Sequence, residues 1–465
     1  MTTALDAPAA PAGLRTAGLT ADASHAIGAW RNDPAWAREW RAAGWAAWRT
    51  IPMPTSTTEG WRRTPLSIID VDQVHAVAAP GTPVRHAEDL PEAIRALVGN
   101  GASHAATVVQ SNGTTVLAEI SDEARNAGVI VCDIHEAFHR HPELVREHLG
   151  TLVPARWQPG MPSNAGKFEA LNAAFFTGGL FVYVPNGVEV SLPVRALNWH
   201  ADTDAGFFPR SLIIVGENAR LAFLEEYASV AAPEGGHPVF GSAVVEVFVK
   251  DGGRLDYTTI QDWSLSTAGF VTQRTTLGNN AYCNWVSVSL GGMYTRGTAD
   301  VILNGKGTKA DMLGLAFGEG TQVFDFHTLQ DHQSAFTDSD QLYKTAMRER
   351  SRLVYEGLIN IRPGSYGSNG YQANRNLLLD DTAKADSIPM LEISDNDVRC
   401  THGSSVGPID KTHVYYLMTR GLPQADAERM VVQGFFEPVI ERIASEELKE
   451  RVRAAVDAKI GGKGA

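Results

Sequence analysis

Residues 243–260 read AVVEVFVKDGGRLDYTTI. Two runs of strand-forming residues flank Asp251-Gly252-Gly253, a turn signal that breaks the extended pattern. In a strand, alternate side chains face opposite ways, so each run keeps one side for a core and one for solvent. LAFLEEYA, residues 221–228, has the same character. Further short strands are expected at 212–215, 283–290 and 322–329. Turn signals recur at Gly216-Glu217-Asn218, Gly278-Asn279-Asn280 and Asn304-Gly305-Lys306-Gly307. The last three turns, counting Asp251-Gly252-Gly253, are spaced at about one solenoid repeat, inside the window of roughly 20–50 residues for such arrays. Many short strands without intervening helices allow a sandwich, a barrel or a β-solenoid.

Working outward, KFEALNAAFFTGGLFVYVPNGVEVSLPV from Lys167 reads as the first strands of this region. Before it, residues 1–20 are rich in Ala, Pro and Thr and are expected to lack structure. From Asp33 the pattern is helical. Pro34 suits a first helical position, and Trp36, Trp40, Ala43, Trp45 and Trp48 form a stripe expected to face a core. Residues 129–132 read as a short buried strand. His135 and His139 lie one helical turn apart with His141 nearby, but no third ligand accompanies them, so an exposed helical face is expected. In VFDFHTLQDHQS, Asp325, His327, Asp331 and His332 cluster, and Asp325 and His327 would share one strand face. A metal or hydrolytic role is conceivable there, and a structural or interface role is the expectation.

The most chemically distinctive stretch is LEISDNDVRCTHGSSVG, residues 391–407. Residues 388–393 read as extended. If that conformation continues, Cys400 and His402 share a face about 7 Å apart, two strand rises. A thiolate and an imidazole suit iron or zinc, though two ligands do not complete a site. Cysteine is also a common small buried hydrophobe, and His402, beside Gly403 and two serines, also fits an exposed loop. After Pro408 the chain becomes helical. Gly421 suits a helix C′ position, Pro423 the first turn of a second helix, and Ser445 with Glu446 and Glu447 the start of a third. Val414, Leu417, Met418, Met430, Val431, Phe435 and Phe436 fall at helical spacing.

The 465 residues suffice for two or three domains or one long repetitive one, and 44% hydrophobic content supports a sizeable core. With 53 acidic and 40 basic residues the net charge is −13, which argues against nucleic acid as a partner. Three scattered cysteines, Cys132, Cys283 and Cys400, without a CxxC, point to a reducing compartment and cannot form a four-cysteine cluster site. No apolar run reaches the roughly 18 residues a membrane helix needs. The N-terminus lacks a signal-peptide pattern, so the expected location is the cytoplasm, with no membrane partner. No GxxxxGK[ST] motif occurs.

PMLEISDNDVRCTHGSSVGPID, together with YQANRNLLLDDTAKADSIPMLEI and the ALN…GG…VPNG run after Lys167, resembles the SufB/SufD family of the SUF iron–sulfur cluster assembly system. The resemblance runs from about residue 30 to 450. It implies a mainly β chain: a right-handed parallel β-helix core over 161–407, a helical and mixed region over 21–160, and a helical region over 408–465. Within the family the chain is most like the SufD branch. DPAW and EGWRRTPL agree with that branch, as does Cys400-Thr401-His402-Gly403. The SufB branch carries a cysteine, regarded as the anchor of the nascent cluster, where Asn374 stands here, and a glutamate where Gly403 stands. The resemblance therefore implies a non-enzymatic subunit. Its partners would be SufB, through the β-helix, and the ATPase SufC, through the C-terminal helices. Iron or a cluster would be held only transiently with SufB, none permanently, with His402 and Cys400 as metal-side residues at that interface. Two rival readings are a β-helix carbohydrate-active enzyme using Asp325 and Asp331, and a structural homodimer capping its own sheet edges.

Overall fold

The computed structural model describes residues 10–64, 66–98, 104–155 and 166–461. Its strands in chain order are β1 (Ala106–Ser111), β2 (Thr114–Ile120), β3 (Ile130–Asp133), β4 (Leu180–Val184), β5 (Val194–His200), β6 (Arg210–Val215), β7 (Arg220–Ser229), β8 (Val239–Val249), β9 (Arg254–Asp262) and β10 (Thr267–Leu277). They continue as β11 (Tyr282–Ser289), β12 (Tyr294–Leu303), β13 (Lys309–Gly318), β14 (Val323–His332), β15 (Asp338–Met347), β16 (Arg352–Ile361), β17 (Asn369–Leu378), β18 (Lys384–Ile393) and β19 (Arg399–Pro408). From β4 onward, odd strands join one sheet and even strands the other, and from β6 onward each pairs in parallel with the strand one coil earlier. The result is a β-solenoid of about eight coils, the parallel β-helix that the resemblance implies. Antiparallel strands close its N-terminal end, β2 on β1 and β3 on β4.

The turns seen in the sequence stack on one another. Asn218, Gly252, Asn280, Gly307, Phe336 and Gly367 all adopt positive φ, and each backbone N–H reaches a carbonyl of the next coil. At Gly252 a side chain would strike the Asn218 amide, with Oδ1 2.2 Å from the added carbon, so both φ and space require glycine there. Phe336, with φ 57°, is the one bulky residue in this left-handed ladder.

Three apolar layers result. Between the sheets lie Val245, Val247, Leu255, Tyr257, Cys283, Trp285 and Val301. The outer face of the even sheet is covered by α1 (Ala21–Trp30), α2 (Ala35–Thr50) and their neighbours. Short helices α3 (Glu92–Val98), α4 (Asp122–Asn126), α5 (Ile134–Arg140) and α6 (Pro142–His148) complete the N-terminal region. The tryptophan stripe of α2 faces inward as expected, with Trp36 on Phe138, Trp40 on Phe176 and Trp45 on Phe175 at centroid distances of 5.0, 5.8 and 5.8 Å.

Two expectations are corrected here. Residues after Lys167 begin with a helix, α7 (Lys167–Phe175), rather than a strand. Nearly every side of α7 is buried, from Phe168 to Phe175, so its apolar run carries no helical period to distinguish it from a strand. His135 is buried, not exposed: its Nδ1 lies 2.6 Å from Asp33, which also pairs with buried Arg41 at 2.7 Å. Burial would raise the Asp33 carboxyl, but His135 and Arg41 outweigh it and hold the group well below the usual carboxylate range. His139 does lie exposed.

The outer face of the odd sheet is covered by the C-terminal helices α8 (Lys411–Thr419), α9 (Gln424–Ile440) and α10 (Glu446–Gly461). Phe436, Val439, Val452 and Val456 pack there with Val286, Val288, Leu313 and Leu315. Gly421 takes the positive φ of a C′ residue after α8, and Ser445 caps α10 by accepting from the Leu448 N–H. Of the stretch expected to lack structure, residues 1–9 lie outside the described residues, as do 462–465 of the tail. Residues 10–20 include a 3₁₀ turn at Ala12–Leu14 and a bridge from Gly18 to His75. Among the described residues no helix is long and apolar enough to cross a membrane.

Candidate functional site at the open end of the solenoid

β18 and β19 form the last coil. Each is paired on one side only, β18 with β16 and β19 with β17. In β19 the residues at 400, 402, 404 and 406 stand in register over Gly370, Gln372, Asn374 and Asn376 of β17. These columns are the ones that run inside the solenoid: Cys283, Ala310, Ser339 and Gly370 lead to Cys400. At the end, Ser404 Oγ donates across to Ser387 Oγ on β18 at 2.8 Å. Cys400 and His402 thus share a strand face, as the two-residue spacing demands, and that face is the uncapped core layer. His402 is exposed and Cys400 half-buried.

The thiol of Cys400 is pushed up to about 11 by burial, so at neutral pH it is a thiol rather than a thiolate. It flanks Gly370 opposite His332; a Cβ on Gly370 would lie 3.5 Å from both Cys400 Sγ and His332 Nε2. His332 is not free to bind metal. Its ring nitrogens contact Thr337 Oγ1 at 2.7 Å and Ser339 Oγ at 2.8 Å, and burial depresses it to about 4, so it is neutral. Among the described residues no three His, Cys, Asp or Glu side chains are placed to hold a metal ion. Cys400 and His402 therefore offer at most two ligands, and no third stands beside them among the described residues. Cys132 and Cys283 are buried, with thiols raised by burial.

The Asp325 cluster does not converge. Asp325 is buried and held by Arg296 at 2.5 Å, Tyr294 at 2.9 Å, Thr64 at 2.6 Å and His327 at 2.8 Å. Asp331 pairs through both oxygens with Arg362 at 2.8 and 2.6 Å, and His332 points inward. Asp325 and Asp331 are thus each held in an ion pair of their own, with Arg296 and with Arg362, rather than left as the free pair of carboxylates that glycoside cleavage would draw on. Asn374 is fully buried, accepts from Asn376 Nδ2 at 2.6 Å and donates to the Tyr343 carbonyl at 3.4 Å. An amide knitted into the core thus stands where the resemblance implies a cysteine in the other branch of the family.

Sequence reasoning missed Ser387 and Gln372, which line the same end. They come from other strands, and only the coil register brings them to His402 and Ser404.

Among the described residues the last coil of the solenoid is left uncovered, with a histidine and a cysteine on its inner layer. Residues 198–435 match the family described as SUF system FeS cluster assembly, SufBD core domain, and residues 31–196 match the SufBD protein N-terminal region. The chain belongs to the SufBD family of iron–sulfur cluster assembly proteins. It is 28% identical over 432 residues to the iron–sulfur cluster assembly protein SufD of Bacillus subtilis, covering 92% of this chain and 95% of that one. It is 27% identical over 462 residues to SufB of the same organism, covering 96% and 94%. A SufBD family protein of Staphylococcus saprophyticus is 27% identical over the same lengths.

Proposed function

We propose that this chain is the SufD-type subunit of a cluster-assembly complex. Its open end pairs with a SufB-type subunit, its C-terminal helices recruit a SufC-type ATPase, and iron or a nascent cluster passes as cargo against His402. The observation that carries the reading is the inner layer of the last coil, where His402 stands exposed and buried Asn374 lies one register step along, under Ser404. Relatives named SufB and SufD match about equally, so the choice of branch rests on Asn374, Gly403 and the Cys400-x-His402 spacing. In this reading His402 supplies an imidazole nitrogen and the partner supplies sulfur. The strand edges of β18 and β19 supply the unpaired backbone groups that a partner's coil would continue.

Co-purification of the tagged chain from its own cell, with mass measurement, tests this. The expected product contains a SufB-type subunit and an ATPase. Recovery only as a homodimer, or alone, overturns the assignment in favour of self-capping.

A further inference from the structure

One column of side chains inside the solenoid changes character towards the open end. From β7, β9, β11 and β13 it contains Phe223, Tyr257, Trp285 and Met312, in register. From β15, β17 and β19 it continues as Gln341, Gln372 and His402. Both glutamines are fully buried, where polar groups need hydrogen-bond partners. Most have them. Tyr355 Oη accepts from Gln341 Nε2 at 2.7 Å and from Gln372 Nε2 at 2.9 Å. Gln341 also donates to Thr328 Oγ1 at 2.7 Å and accepts from Gln330 at 2.5 Å. The carboxamide oxygens of Gln372 and Gln330 have no partner among the described residues. Gln372 is the residue in register directly beneath His402, and its nitrogen is already anchored on Tyr355.

We propose that Gln372 is a positioning residue for His402. When a partner covers the end, the free oxygen of Gln372 accepts the N–H of the ring nitrogen facing into the solenoid. A neutral imidazole has one N–H and one lone pair, so fixing the first aims the second outward, at the partner and its metal cargo. Strands about 4.8 Å apart bring two such long side chains within hydrogen-bonding reach. The inference rests on the role proposed above for His402.

The test uses the complex with the SufB-type subunit, in which only this chain carries 15N-histidine. Solid-state 15N shifts, assigned by difference from His402→Ala, report the tautomer of His402, and iron binding is measured alongside. Gln372→Met keeps length and removes the acceptor. It is expected to turn a single tautomer into a mixture and to lower iron affinity about tenfold. Gln372→Glu restores an acceptor oxygen and should recover most of that affinity. In the His402→Ala background, Gln372→Met should cost nothing further. Tyr355→Phe, which releases the Gln372 amide from its anchor, gives an independent readout and should also mix the tautomers. Unchanged tautomer populations in both Gln372→Met and Tyr355→Phe, or additive losses of iron, overturn the proposal. If His402→Ala leaves iron binding intact while Gln372→Met still mixes the tautomers, the positioning contact stands and the metal role of His402 falls.

Discussion

Ser404 and Ser387 tie the two sheets together across the last coil, Oγ to Oγ at 2.8 Å. One coil beneath, the equivalent positions are Asn374 and Tyr355, both fully buried. The same layer is thus core inside the solenoid and surface at its end. A layer built to be covered, with Ile393 and Val406 exposed on it, is where a further coil adds most.

A charge placed in that layer should block association and spare the fold. Val406→Lys and Ile393→Lys substitute exposed side chains, so the stability change is expected to stay near 0.5 kcal/mol. Inward-pointing charge on an open edge is strongly unfavourable once covered. Melting temperature should be kept while the SufB-type subunit no longer co-purifies. Retention of the partner would move the interface elsewhere.

His402→Ala should separate cargo handling from assembly. The side chain is exposed and makes no contact that a fold depends on, so melting and complex formation should be nearly unchanged. Iron and cluster content of the complex should drop sharply. Cys400→Ser should do less, because burial already keeps that thiol protonated. A His402→Ala complex that matures clusters at the normal rate would contradict the assignment.

The repeating turns at Gly252, Asn280 and Gly307 were legible in the sequence, because a left-handed corner leaves a glycine or asparagine mark. The parallel pairing was not, since alternation within a strand says nothing about which strand lies beside it; the family resemblance carried that step. Helix α7 was misread because it has no exposed face, its polar Glu169 and Asn172 being buried with the rest. At the site, Cys400 and His402 were legible through their two-residue spacing in one strand. Gln372 and Ser387 were not, because their proximity exists only after one coil is laid on the next. His135 looked exposed because its partner, Asp33, sits in a different segment of the chain.

Glu225 should make the fold less stable as pH rises towards neutrality. It is fully buried, and burial raises its carboxyl from 4.5 to about 7 despite a hydrogen bond from Tyr257 Oη at 2.5 Å. Between those values the folded protein keeps a proton that the unfolded chain has lost, so stability falls with rising pH and levels off above about 7. Glu225→Gln removes this cost. It should raise stability by up to about 3 kcal/mol at pH 8 and much less at pH 5, read from thermal melts at both values. Equal shifts at the two pH values would show that packing, not the proton, decides the effect.

The C-terminal helices divide their work between covering the solenoid and meeting a partner. α9 and α10 bury Val432, Phe436, Val439 and Val456 against the odd sheet, with Phe436 6.4 Å from Phe317. Phe436→Ala should therefore cost about 3–5 kcal/mol in global stability. Truncation after Asp410 would uncover Leu224, Ile260, Val286 and Leu313, and should yield an aggregating chain rather than an intact solenoid. By contrast, Tyr415 and Tyr416 on α8 are 68% and 55% exposed, and Met418 and Met430 add to them. If the ATPase docks on this region, these are the side chains available to it, since the rest of the apolar surface is already used. A Tyr415→Ala/Tyr416→Ala/Met430→Ala variant should melt near the wild-type temperature and bind the SufC-type ATPase at least about tenfold more weakly by calorimetry, as loss of aromatic anchors does at interfaces. Unchanged affinity in a stably folded variant would place the docking surface outside the C-terminal helices.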